Sequence, residues 1–87
     1  MAFRERAFLA CQDGAGKLHR GPVIEGSSGR VPFPTACPTG TKPVAAVHTH
    51  PPDDGLEPSD QDLAETRRRG LDLVCVAFKD RFRCYPT

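Results

Sequence analysis

The sequence predicts an α/β fold of mixed α+β character: one small sheet with parallel and antiparallel strands, and a single main helix that follows its central strand. Three observations carry this. The apolar run Val44-Ala45-Ala46-Val47 is short and uninterrupted, as a buried strand is. The segment from Ser59 to Gly70 starts with a capping residue and early acids, Asp60 and Asp62, and ends on Arg67-Arg68-Arg69, the charge order that a helix dipole favours. Finally, Leu73-Val74-Cys75-Val76-Ala77-Phe78 and Arg81-Phe82-Arg83-Cys84-Tyr85 read as two strands joined by a Lys79-Asp80 turn.

The remaining elements are set by punctuation. Residues 3 to 12, with Ala7-Phe8-Leu9-Ala10-Cys11, favour a strand because Asp13-Gly14-Ala15-Gly16 supplies a turn into the next run. Lys17 to Glu25 then makes a second strand and a hairpin, and Gly26-Ser27-Ser28-Gly29 is a turn. Residues 30 to 43 contain Pro32, Pro34, Pro38 and Pro43 and are expected to be irregular, since proline lacks an N–H and fixes φ. Val44 to His48 is a strand, Pro51 to Pro58 a loop, residues 60 to 69 a helix, and residues 71 to 78 with 82 to 85 complete the sheet. The expected order is β-β-loop-β-α-β-β, without an internal repeat.

With 87 residues, the chain is expected to form one domain over 1–87, burying about 60–65% of its unfolded surface. Hydrophobic residues at 38% and charged residues at 26% place it among ordinary soluble domains. No apolar run is long enough to cross a bilayer, and Met1-Ala2-Phe3-Arg4-Glu5-Arg6 lacks the apolar stretch of a leader, so a cytoplasmic address without a membrane partner is expected; an exported effector domain stays open. A net charge of +1 gives no footprint for nucleic acid, and Arg67-Arg68-Arg69 reads as a solvated helix end that suits the helix dipole, with a substrate- or partner-docking patch as the alternative. Oligomeric state is not legible.

The four cysteines include no Cys-x-x-Cys, which argues against a structural zinc knot. Counting outward from the Lys79-Asp80 turn pairs residues 78 with 81, 77 with 82, 76 with 83 and 75 with 84. Cys75 and Cys84 then face each other at a non-hydrogen-bonded pair, where either a disulfide or two packed thiols fits. Cys11 and Cys37 have no assigned role.

The chemistry concentrates in His48-Thr49-His50-Pro51 and Ser59-Asp60-Gln61-Asp62. Two histidines one residue apart on a strand project from one face, so both imidazoles can reach one ion. Asp62, near the helix start, can supply a third ligand, leaving the fourth tetrahedral position of one Zn²⁺ for water, as in catalytic sites. Taken alone, Ser59 and Asp62 are better explained as a helix N-cap with an acid at N3, which needs no metal, and Ser59 could do both jobs. His19 is isolated and expected to be exposed. Two other His-x-His hydrolases are set aside: the metallo-β-lactamase pattern needs a nearer acid and another histidine, and an eight-stranded barrel needs on the order of 250 residues.

This arrangement, His-x-His followed by Ser-x-x-Asp, resembles the JAMM motif of the JAB/MPN+ metalloproteases, in its short prokaryotic form. The spacer, residues 51 to 58, is one residue longer than is usual there. The resemblance implies a small JAB/MPN-like mixed sheet, metal ligands His48, His50 and Asp62, an oxyanion-stabilising Ser59 and a catalytic glutamate. For that glutamate Glu25, at the end of Pro22-Val23-Ile24-Glu25-Gly26, is the candidate, with Glu57 and Glu5 as substitutes. It further implies a zinc peptidase or isopeptidase acting on a protein or peptide, at the C-terminal tail of a ubiquitin-like or sulfur-carrier-like partner. The competing expectations are a catalytically silent JAB-like binding module and a toxin- or effector-associated domain. Family members usually carry another helix between the first strands, so this chain would be a minimal form or the end of a longer protein.

Overall fold

Side-chain alternation defines the first strand. In the computed structural model, which describes residues 5–26, 32–50, 57–78 and 81–87, β1 (Arg6–Asp13) buries Ala7, Leu9 and Cys11 in strict period two. The Asp13 carboxylate accepts from the backbone N–H groups of Ala15 and Lys17 and closes the turn into β2 (Leu18–Arg20). His19, expected to be isolated and exposed, instead meets Asp13 at 2.8 Å and is half-buried.

β2 and the two-residue β3 (Ile24–Glu25) are one broken arm against β1. β2 pairs Ala10 with Arg20 and Cys11 with His19, and the Gly21 N–H still reaches the Leu9 carbonyl, at 2.9 Å. Beyond that point β3 pairs Ala7 with Ile24 and Arg6 with Glu25, one residue out of the earlier register. Pro22 and Val23 thus oppose Phe8 together, a bulge for which Pro22, with no N–H to pair, is well suited. Gly21 has a separate constraint: a Cβ there would lie 2.4 Å from the Ala36 carbonyl oxygen, so the 32–38 segment can lie against β2 only over a glycine.

β4 (Thr41–Thr49) pairs antiparallel with the other side of β1, Ala7 opposite His48 and Leu9 opposite Ala46. It starts earlier than expected, and Pro43 lies within it. Pro43 is tolerated because β5 pairs only with Ala45 to Thr49, so β4 is locally an edge at Pro43, beside the register shift opposite Ala10 and Cys11. After β4 the chain crosses through α1 (Asp60–Arg68) to β5 (Leu73–Phe78), parallel to β4, and returns in β6 (Arg81–Pro86). The sheet order is β2-β1-β4-β5-β6, with β3 beside β2 along β1. The β5–β6 register places Cys75 opposite Cys84, and these two are disulfide-bonded. Cys11 bonds Cys37, tying the 32–38 segment to β1.

One face of the sheet, here the inner face, carries Leu9, Cys11 and Ala46. These pack with Leu71, Phe33 and Cys37 into a small core beneath α1 and the 32–38 segment. Gly70, at φ +76°, ends α1: its N–H bonds the Arg67 carbonyl and the Leu71 N–H bonds that of Thr66, which turns Leu71 into the core.

The expected α/β class is corrected. Among the described residues strand accounts for 49% and helix for 13%, making this a β-rich domain with a six-stranded mixed sheet and one helix. The reason is the extent of the strands: β4 starts at Thr41, inside a stretch expected to be irregular, whereas the one crossover helix, required by the parallel β4–β5 step, spans only nine residues. Among the described residues no helix is long and apolar enough to cross a membrane. The Lys79-Asp80 turn, the turn at 27–29 and most of the 51–58 spacer lie outside the described residues.

Candidate metal centre

Two elements built for different reasons converge at the end of β4. His48 and His50 leave the inner face of the strand together, as period two requires, and both side chains are nearly buried, 12% and 11% exposed. Asp62 arrives from α1. Its position comes from a capping box: Ser59 Oγ accepts from the Asp62 N–H at 3.1 Å, and the Ser59 N–H donates to Asp62 Oδ2 at 2.9 Å. The cap reading and the ligand reading of Ser59-x-x-Asp62 therefore coexist in one geometry.

His48 Nε2, His50 Nε2 and Asp62 Oδ2 form a triangle with edges of 2.9, 3.2 and 3.5 Å. A tetrahedral ion with ligand bonds near 2 Å spaces its ligands about 3.3 Å apart, so the three atoms fit one such ion. Electrostatics point the same way. When both imidazoles present lone pairs, three such atoms this close repel one another and a cation among them relieves all three edges; a proton on His48 in its place relieves the edge to Asp62. Partial burial pushes the Asp62 carboxyl up, but hydrogen bonds from His48 and the Ser59 backbone N–H, with the charge of His48, outweigh it and hold the group well below the ordinary carboxylate range. The ligand is thus an anion at neutral pH. His50 Nδ1 is buried without a hydrogen-bond partner among the described residues. This cluster can hold a metal ion, and it is the only group of three such ligands among the described residues.

The triangle lies in a cavity of about 740 Å³ between α1, the Pro32-Phe33-Pro34 segment and the inner face of β1 and β4. Ser59 lines it, as does Glu57, which is exposed. Glu25, the candidate glutamate, does not. It pairs opposite Arg6, whose Nε it accepts at 3.1 Å, and residues opposite each other share a face. Ala7 pairs with His48 on the inner face, so Arg6 and Glu25 belong to the outer one. The bulge is the cause. Had β2 continued unbroken, Glu25 would have fallen opposite residue 5, on the inner face; one extra residue flips it.

Glu5 takes that place. It precedes the inward series Ala7, Leu9, Cys11 by one period, it lines the cavity, and the β1–β4 register continued by two residues sets it opposite His50. The sequence carries a signal for it, an acid extending a buried alternation, with Pro22 marking the break in the competing strand.

No family model, no curated protein and no solved structure matches the chain. The chemistry of the site therefore rests on its own residues and their geometry.

Proposed function

We propose that this chain is a zinc-dependent hydrolase of peptide or isopeptide bonds, using the JAMM-like set His48, His50, Asp62 and Ser59, with Glu5 rather than Glu25 as its glutamate. The observation that carries this reading is the triangle of ligand atoms, no edge longer than 3.5 Å, lining a cavity that also takes in Glu5 and Ser59. Two imidazoles and one carboxylate suit zinc, and three protein ligands leave a position for solvent. A zinc ion supplies there a water with a pKa of about 7 and a Lewis acid for the substrate carbonyl.

The chain's own groups handle the proton and the developing charge. Glu5 accepts the proton of the attacking water and passes it to the leaving nitrogen. One water is consumed as the C–N bond breaks, its hydroxyl ending on the acyl carbon and its proton on the amine. Ser59 Oγ accepts from the Asp62 N–H, which leaves its hydroxyl proton to donate to the carbonyl oxygen as charge builds, a contribution of about 3 kcal/mol in other hydrolases. The substrate in this reading is the tail or isopeptide linkage of a small protein, a class that includes ubiquitin-like and sulfur-carrier-like chains. Two disulfides in so short a chain favour an oxidising destination, that of an exported effector domain, over the cytoplasm.

Metal analysis of the purified protein, then chelation, reloading and peptidase assays on ubiquitin-like fusions, tests the reading. One zinc per chain and activity that chelation removes and zinc restores are expected. A chain that takes up no divalent ion overturns the metal site. A loaded chain inert on every amide substrate overturns the hydrolase and leaves the silent binding module.

A further inference from the structure

We propose that Arg69 docks a substrate carboxylate, at the end of the cavity away from the ligand triangle and roughly two to three residues from the bond cleaved. This rests on the hydrolase reading. Glu65, Thr66 and the C-cap residue Arg69 lie three, four and seven positions after Asp62, so the four fall along one side of α1, and all line the cavity. The seven positions from Asp62 to Arg69 span about 10 Å along the helix axis, and an extended chain covers about 3.3 Å per residue. A peptide lying along that side of α1 with its scissile carbonyl at the metal end therefore brings the second or third residue past the cleaved bond to Arg69.

The charge at that end is held in place and is net positive. The Arg69 guanidinium lies over the Phe33 ring, 4.4 Å from its centroid, while its Nε donates to Glu65 Oε1 at 2.9 Å. Arg68 engages the other Glu65 oxygen, at 2.5 Å, so one carboxylate is shared by two cations and one positive charge is left over. With Nε committed, the remaining donors of Arg69 are its two NH₂ groups, whose planar edge suits a carboxylate. Phe33 fixes the plane, and the Cys11–Cys37 bond tethers the segment that carries Phe33. A cation fixed by an aromatic wall, inside the same cavity as a candidate hydrolytic centre, selects substrate.

The carboxylate can be the C-terminus of a short leaving segment or an acidic side chain, and peptides separate the two. Cleavage by the zinc-loaded full chain would be compared for peptides identical except for a free or amidated C-terminus three residues beyond the scissile bond. An amidated peptide with Asp at that position is added. The free acid is expected to exceed the amide in kcat/KM by about tenfold or more, with the gap closing in Arg69→Met and Arg69→Gln while zinc content is unchanged. Recovery with the Asp peptide assigns the contact to a side chain; no recovery assigns it to the chain terminus. Calorimetric binding of the same peptides to the zinc-loaded Glu5→Gln chain gives a readout free of turnover. Equal binding of acid and amide, or a preference that survives both Arg69 substitutions, overturns the dock. Acid-selective binding that depends on Arg69, with no cleavage of any peptide, keeps the dock and overturns the hydrolase.

Discussion

The two faces of the sheet use the same strands to opposite ends. On the inner face, alternate residues of β1 and β4 lie beneath α1 and the 32–38 segment, and the polar groups among them, His48 and His50, converge on a carboxylate. On the outer face the intervening residues of these strands and their neighbours β3, β5 and β6 carry an ordinary exposed ion pair, Arg6 with Glu25, and apolar groups left in solvent, with Leu73 37% and Phe82 70% exposed. Arg20 lies 6.0 Å above the Phe8 ring there. Which face a residue joins is a matter of parity along the strand, so a single unpaired residue at Pro22-Val23 exchanges one glutamate for another at the metal end.

The largest effect should come from breaking the inner face at its ligands. His48→Ala is expected to lose both bound metal and all hydrolysis, read by metal analysis beside the assay; full metal content in that variant would remove His48 from the triangle. The two glutamates, one on each face, should differ nearly as much. Glu5→Gln should lower kcat by about 100-fold or more with metal retained, whereas Glu25→Gln should stay within about twofold. The reverse outcome would mean that the β3 register is not the one described.

The disulfides differ in the same way. Cys11–Cys37 closes 26 residues and tethers a wall of the cavity, while Cys75–Cys84 closes nine on the outer face. Chain entropy assigns about 3.5 kcal/mol to the first and about 2.6 kcal/mol to the second, so denaturant midpoints should fall further for Cys11→Ala with Cys37→Ala than for Cys75→Ala with Cys84→Ala. Ser59→Ala removes the helix cap, about 1 kcal/mol by thermal unfolding, and additionally slows turnover if its hydroxyl meets the oxyanion. The smallest effect concerns Asp13. Its hydrogen bond with His19, then those from the Lys17 and Ala15 backbone, hold the carboxyl below its usual value in the folded chain. Protons therefore favour the unfolded chain: the contribution is complete above about pH 4 and fades as pH falls through the lower folded value. Asp13→Asn should flatten that part of the stability profile, and an unchanged profile would count against the pair.

Local rules make some of this legible in the sequence. The β5–β6 register comes from counting out of a two-residue turn, and the helix from its cap, its charge order and Gly70; both agree with the observed pairing and with Asp60–Arg68. The His-x-His geometry is set by strand periodicity alone. What is not legible depends on contacts distant in sequence. Cys37 lies on an irregular segment whose distance from Cys11 no local pattern sets, and Pro43 enters a strand because β5 happens not to reach it. Glu25 reaches the inner face only if its strand is unbroken, and Pro22 within the run argues against that. The class is hard to read because the balance of strand to helix turns on how far the strands extend, and pairing with β1, distant in sequence, carries β4 back through Pro43 to Thr41.

The doubled duty of Asp62 has a consequence for how an ion would arrive. Because the Ser59 N–H already restrains the carboxylate, folding itself meets the entropic cost of arming that ligand, and little reorganisation is left for the moment of capture. Loaded and empty forms should then nearly superimpose at the start of α1, with exchange of the Ser59 amide slow in both.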